Sequence, residues 1–234
     1  MKKIILHTLL VTAGTVGALS ASAQESTQQA SAFKMPETVL AYGSVGSQGL
    51  GVGLGVALGE KSSLRAELST ASYSFNTTES DIRYKGDLDV KGVSLLADYF
   101  PFGGKFRLTG GVNFGKAGAS FKGETTGGGL ININGTDYPV APGEGVNATL
   151  DFPKPRPYLG IGWGLGQLSQ KGFRFGVDIG AEIGQAKGDL TATQGLQQTP
   201  GFNADFEKER QTYRDEIGKL GFYPVVKLSV GYAF

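Results

Sequence analysis

The 234-residue chain has no cysteine, and its only histidine is His7. The missing cysteines exclude disulfides, thiol nucleophiles and cysteine-ligated zinc sites. His7 lies in a segment with the marks of a secretory leader. Lys2 and Lys3 precede an apolar stretch from Ile4 to Leu19, and Ala21-Ser22-Ala23 closes it with a small-x-small pattern. Residues 1–23 are therefore expected to be a signal peptide, followed by a periplasmic tail over 24–37. Without the leader, no imidazole is left for acid–base, nucleophilic or metal chemistry. Charge surplus is also lacking. Once Lys2 and Lys3 are removed, 20 basic residues face 21 acidic ones, which gives no basis for nucleic acid as a partner. After residue 23 no apolar run reaches the roughly 18 residues of a spanning helix.

What the chain does have is 38 glycines, 24 aromatic residues and a period of two. Phe173, Phe175, Val177, Ile179, Ala181 and Ile183 alternate with Arg174, Gly176, Asp178, Gly180, Glu182 and Gly184. Alternation of this kind places all the apolar side chains on one face of a strand. It recurs over Leu50–Leu58, Leu64–Leu68, Val93–Tyr99, Phe106–Phe114 and Leu159–Leu165, and more weakly with Val39, Ala41 and Val45. Eight strands are expected, near 38–46, 49–58, 63–75, 88–101, 106–122, 154–166, 172–187 and 221–234. The face opposite the apolar rows carries charge or glycine, which suits the filled lumen of a narrow barrel better than the apolar core of a sandwich. The expected fold is all-β, an eight-stranded antiparallel transmembrane barrel of outer-membrane type over residues 38–234.

Short connections near 59–62, 102–105 and 167–171 fit periplasmic turns. The other end has a tight turn near Ser47 and long external loops at 76–87, 123–153 and 188–220. Asn134-Gly135 marks a hairpin tongue in the third of these four connections. In the fourth, Phe206, Arg210, Tyr213, Ile217 and Leu220 share a helical face, with Asn203 as N-cap, so a short helix over the barrel mouth is expected.

The side chains expected to line the lumen are Arg65, Glu67, Asp98, Arg107, Arg156, Tyr158, Arg174, Asp178, Glu182 and Lys227. Charges away from bulk water should pair. Asp98 with Arg107 and Arg156 with Glu182 are the expected cross-strand pairs. No catalytic residue, metal site or cofactor is expected. Lipid A acyl-chain transferases and deacylases are similar in strand number, but their chemistry uses a histidine with a serine. Gly49-Leu50-Gly51-Val52-Gly53 lacks the strand–turn–helix setting of a phosphate loop. The chain ends Val226, Leu228, Val230, Tyr232, Phe234 on one face, and Tyr232 with Phe234 resembles the C-terminal signal read by the barrel-assembly machinery.

Pro157-Tyr158-Leu159-Gly160-Ile161-Gly162, Asn134-Gly135-Thr136-Asp137-Tyr138 and Val140-Ala141-Pro142-Gly143 resemble segments of the carbapenem-associated outer-membrane proteins, the ornithine-uptake porin family. So does the helical fourth loop before Tyr223-Pro224-Val225. The resemblance extends over roughly 40–234. It implies an eight-stranded barrel in the cell outer membrane, in contact with its lipid, giving slow passage to small or basic amino acids. The ending Tyr-Ala-Phe and the loops depart from the family. Two functions remain open at this point: narrow passage of small polar solutes, and a closed structural or surface-interaction barrel acting through its loops.

Overall fold

The computed structural model describes residues 38–79, 81–166 and 171–234. The expected leader and tail, and most of the third periplasmic turn, lie outside the described residues. The strands are β1 (Val39–Gly46), β2 (Gly49–Gly59), β3 (Ser62–Glu79), β4 (Ile82–Tyr99) and β5 (Phe106–Thr125), then β6 (Gly129–Ile133), β7 (Thr136–Val140) and β8 (Gly145–Asp151). They are followed by β9 (Arg156–Gly164), β10 (Gly172–Ile183) and β11 (Lys187–Ala192), by α1 (Gln194–Gln198) and α2 (Phe202–Gly218), and by β12 (Phe222–Ala233). Eight strands close a ring in the order β1-β2-β3-β4-β5-β9-β10-β12, and β12 returns antiparallel to β1. The fold is the expected all-β barrel.

The two faces separate as the alternation requires. Leu50, Leu54, Leu68, Leu95, Ile161, Phe175 and Leu228 point outward and are exposed. Such an apolar belt is far larger than a water-soluble surface carries, and matches the lipid-facing band of a transmembrane barrel. Phe102, Phe106 and Trp163 form a chain of ring contacts at the lower rim, and Phe173, Tyr232 and Phe234 form a second. These make up one aromatic girdle of the kind that marks the edge of the membrane.

At the other end the barrel wall is uneven. The β1–β2 turn is low, whereas β3 and β4 run on together from Ser62↔Tyr99 to Glu79↔Ile82. Of the stretch 76–87, expected as a loop, residues 76–79 and 82–87 are thus the upper part of this hairpin. The polarity of the two faces inverts there. Lumen-side positions become apolar (Tyr73, Phe75, Tyr84, Leu88 and Phe121), and outward ones become polar (Ser72, Ser74, Lys85, Asp87 and Lys122). Above the belt both faces meet water or protein, so the lipid constraint on the outer face no longer applies.

The third and fourth external connections also hold more order than expected. β8 pairs with the upper half of β5, and β11 pairs with β8. The tongue is present as β6–β7, with Asn134 and Gly135 both at positive φ, as a two-residue hairpin turn demands. A separate apolar core joins Ile133, Tyr138, Val140, Leu190, Leu196, Phe202 and Phe206, so tongue, sheet and helix form one cap. Tyr138 and Phe202 meet edge to face at 5.2 Å. Three details of the expected helix are corrected. Its N-cap is Gly201 in the left-handed region, and Asn203 lies one residue inside the helix, donating to the Gln197 carbonyl. Leu220 lies beyond the helix end and is exposed. The helix also packs against β11 of the cap, where Gly188 leaves space for Tyr213 and Ile217.

Candidate functional site

The lumen is built from the inward row of each barrel strand. Arg65, Glu67, Asp98, Arg107, Arg156, Tyr158, Asp178, Glu182 and Lys227 all lie there, buried; Arg174 is half-buried near the lower end of β10. The buried charges, Arg174 apart, fall into three groups. In the first, Arg65 and Arg107 alternate with Asp98 and Asp178 in a four-membered ring. Arg65 Nε donates to Asp98 at 2.6 Å and Arg107 Nη2 donates to Asp178 at 2.7 Å. The ring is completed by Arg65–Asp178 at 3.3 Å and Arg107–Asp98 at 3.4 Å. β3 and β10 are diametrically opposed in the ring of eight, so the Arg65–Asp178 contact crosses the whole lumen.

In the second group, Lys227 donates to Glu67 at 2.6 Å, and Tyr42 and Ser44 donate to the same carboxylate at 2.9 and 3.1 Å. In the third, Arg156 bonds Glu182 at 2.5 Å and the Gly115 carbonyl at 2.7 Å, while Gln48 donates to Glu182 from the β1–β2 turn. Asn113 and Ser94 continue that network at 2.9 Å.

The expected pairs are corrected in detail. Arg156 and Glu182 meet, although Tyr158 is the register partner of Glu182. Asp98 stands across from Thr109 and takes its shortest ionic bond from Arg65, while Arg107 is closest to Asp178. Arginine side chains are long enough to reach diagonally and across a narrow barrel, so cross-strand register does not choose their partners.

Glycine provides the room. A Cβ on Gly162 would stand 2.6 Å from Arg107 Cζ, and one on Gly53 would stand 2.4 Å from the Tyr42 ring. Gly160 and Gly180 receive the Tyr158 hydroxyl in the same way. Apolar side chains help to fill the lumen. Leu40 and Leu165 pack with Tyr42 and Ala233, and Leu96 packs with Tyr158 and Val225. Gln48, Ser94, Leu96, Asp178, Glu182 and Lys227 help to line a cavity of about 10 Å³, room for one water at most.

The sequence reading missed Tyr42, Ser44, Thr109, Asn113 and Gln48. Strand parity was sufficient to place the first four inward. No signal marks Gln48, which enters the lumen from a turn.

No family model and no curated protein matches the chain. Solved structures do match it, among them two from Acinetobacter baumannii. CarO2 of Acinetobacter baumannii is matched at a TM-score of 0.60 and 18% identity over 86% of this chain and 100% of that one. CarO of the same organism is matched at 0.53 and 19%, over 86% and 98%. The chain therefore shares the barrel fold of these outer-membrane proteins.

Proposed function

We propose that this protein is an outer-membrane barrel giving narrow, slow passage to small polar solutes through a lumen filled by its own side chains. The observation that carries this reading is the Arg65–Asp98–Arg107–Asp178 ring, which spans the lumen from wall to wall. Eight strands leave space for side chains and little else. A solute can pass only by exchanging its own charges and hydrogen bonds for those of the plug. A lumen of alternating sign suits small zwitterions, amino acids among them. The chemistry is binding and release, with no catalytic step. The expected surroundings are outer-membrane lipid and, during biogenesis, the barrel-assembly machinery.

Planar-bilayer recording tests the reading. The wild-type barrel should show no steady large conductance. Arg107→Ala with Asp178→Ala removes one positive and one negative plug group together and should raise conductance and the uptake rate of small amino acids into vesicles. A large, stable wild-type pore would refute the plugged lumen. The second reading, a closed barrel acting at the cell surface, is favoured by the cap and its own apolar core. It would be supported if the double variant conducted no better than the wild type.

A further inference from the structure

The outward face of the β3–β5 extension carries an arrangement that the lumen does not explain. Lys91 and Lys116 stand directly opposite each other on β4 and β5, with side chains 64% and 57% exposed. Like charges in such positions destabilise a sheet unless something offsets them. Asp89 reaches both ammonium groups, at 3.5 and 3.3 Å. One carboxylate between two lysines leaves a positive charge over and most of their N–H donors unfilled. Further up the same face Lys85 stands opposite Lys122, whose ammonium contacts Glu124.

What lies below and beside the lysines is equally specific. Two residues toward the barrel, Val93 stands opposite Phe114, both exposed at the top of the apolar belt. Next to them on β3, the outward row Thr70, Ser72, Ser74, Asn76 and Thr78 is exposed, polar and uncharged. From the membrane outward this face is apolar, then charged, with Arg83, Lys85, Lys91, Lys116 and Lys122 against the carboxylates of Asp87, Asp89, Glu124 and, beside Gly118, Asp151, and with a strip rich in hydroxyls alongside.

We propose that this face is a headgroup site for a phosphorylated saccharolipid of the outer leaflet. Acyl chains lie on Val93 and Phe114, a phosphate sits between Lys91 and Lys116, and the sugars run along the β3 strip toward Lys85 and Lys122. A glycerophospholipid would supply the phosphate but would leave the strip and the upper lysines without a partner. The inference rests on the outer-membrane reading above, with the extension outside the cell. Lumen conductance does not depend on these lysines, so the two proposals fail separately.

The test uses the full refolded barrel in neutral-detergent micelles and native mass spectrometry. The probe is a bisphosphorylated disaccharide lipid bearing core sugars. Wild type should retain it, and Lys91→Ala with Lys116→Ala should weaken retention roughly thirty-fold. Lys91→Arg with Lys116→Arg should stay within a few-fold of wild type. Lys61→Ala with Lys105→Ala, at the opposite rim, should change nothing. A heat-modifiable band establishes that each variant is folded. Equal retention by the double alanine variant, equal retention of the dephosphorylated lipid, or full displacement by millimolar inorganic phosphate would overturn the proposal.

Discussion

Asp98→Asn removes one charge from the lumen ring and keeps the side chain's shape. Asp98 accepts from Arg65 twice, at 2.6 and 2.9 Å, from Thr109 at 2.7 Å and from Ser63 at 3.2 Å. After the change, Arg65 and Arg107, both essentially inaccessible to solvent, must share Asp178 alone. Breaking a buried ion pair by removing one partner costs about 3–5 kcal/mol. Arg107 keeps its 2.7 Å bond and Arg65 its 3.3 Å contact to Asp178, so the loss should fall near about 3 kcal/mol, the lower end of that range. Adding Arg65→Met restores a neutral site with the Arg107–Asp178 pair intact. The double variant should be more stable than the sum of the single losses implies by about 1 kcal/mol or more. Urea unfolding of the refolded barrel in lipid vesicles measures this, and Trp163 reports it. It is the chain's single tryptophan and lies exposed on the lipid face. Strictly additive losses, or a cost below about 1 kcal/mol for Asp98→Asn, would mean that the ring does not act as a unit.

Gly162→Ala should cost about 1–3 kcal/mol in the same assay, because the new methyl falls on the Arg107 guanidinium, and Arg107→Ala in the same chain should relieve part of it. In the cap, the Arg210 guanidinium hydrogen-bonded to Asp189 lowers that carboxyl to about 2, so the α2 docking this pair supports should be complete above the ordinary carboxylate pKa near 4 and fade as pH falls toward 2. Hydrogen exchange of α2 amides follows it, and Asp189→Asn should abolish that acid-dependent step. Phe234→Ser should reduce the heat-modifiable folded form recovered in outer-membrane fractions, and unchanged recovery would remove the assembly role assigned to the C-terminus.

The barrel was legible because lipid imposes a strict rule: each lipid-facing position is apolar, so period two is visible even in a glycine-rich strand such as Gly49–Leu58. That rule also places the lumen row by parity. It does not choose the partners within the lumen, since Arg65 reaches Asp178 across the diameter and Arg107 reaches two strands away. Above the membrane the rule lapses. Residues 145–151 do alternate, with Val146, Ala148 and Leu150 on one face, but they sit inside a long stretch between barrel strands that is expected as a loop, and 187–192 offer only Leu190 and Ala192; β8 and β11 form because β5 extends upward and offers them an edge. The tongue was visible because Asn-Gly encodes its own turn. The helix was visible through the spacing of Phe206, Tyr213 and Ile217, but its start was not, because Gly201 acts through backbone conformation alone.

The inversion of polarity along β3 and β4 constrains how this hairpin can change over evolution. Below Thr70 the outer row must be greasy and the inner row charged; above it the assignment is reversed, on one unbroken ladder. A single inserted or deleted residue would swap the rows on one side of the change, carrying Arg65 and Glu67 into lipid or Phe75 and Tyr84 to the outer face. Length variation in relatives should therefore be confined to the tip around Asp81, or should come as matched pairs of residues that leave the pleat in phase.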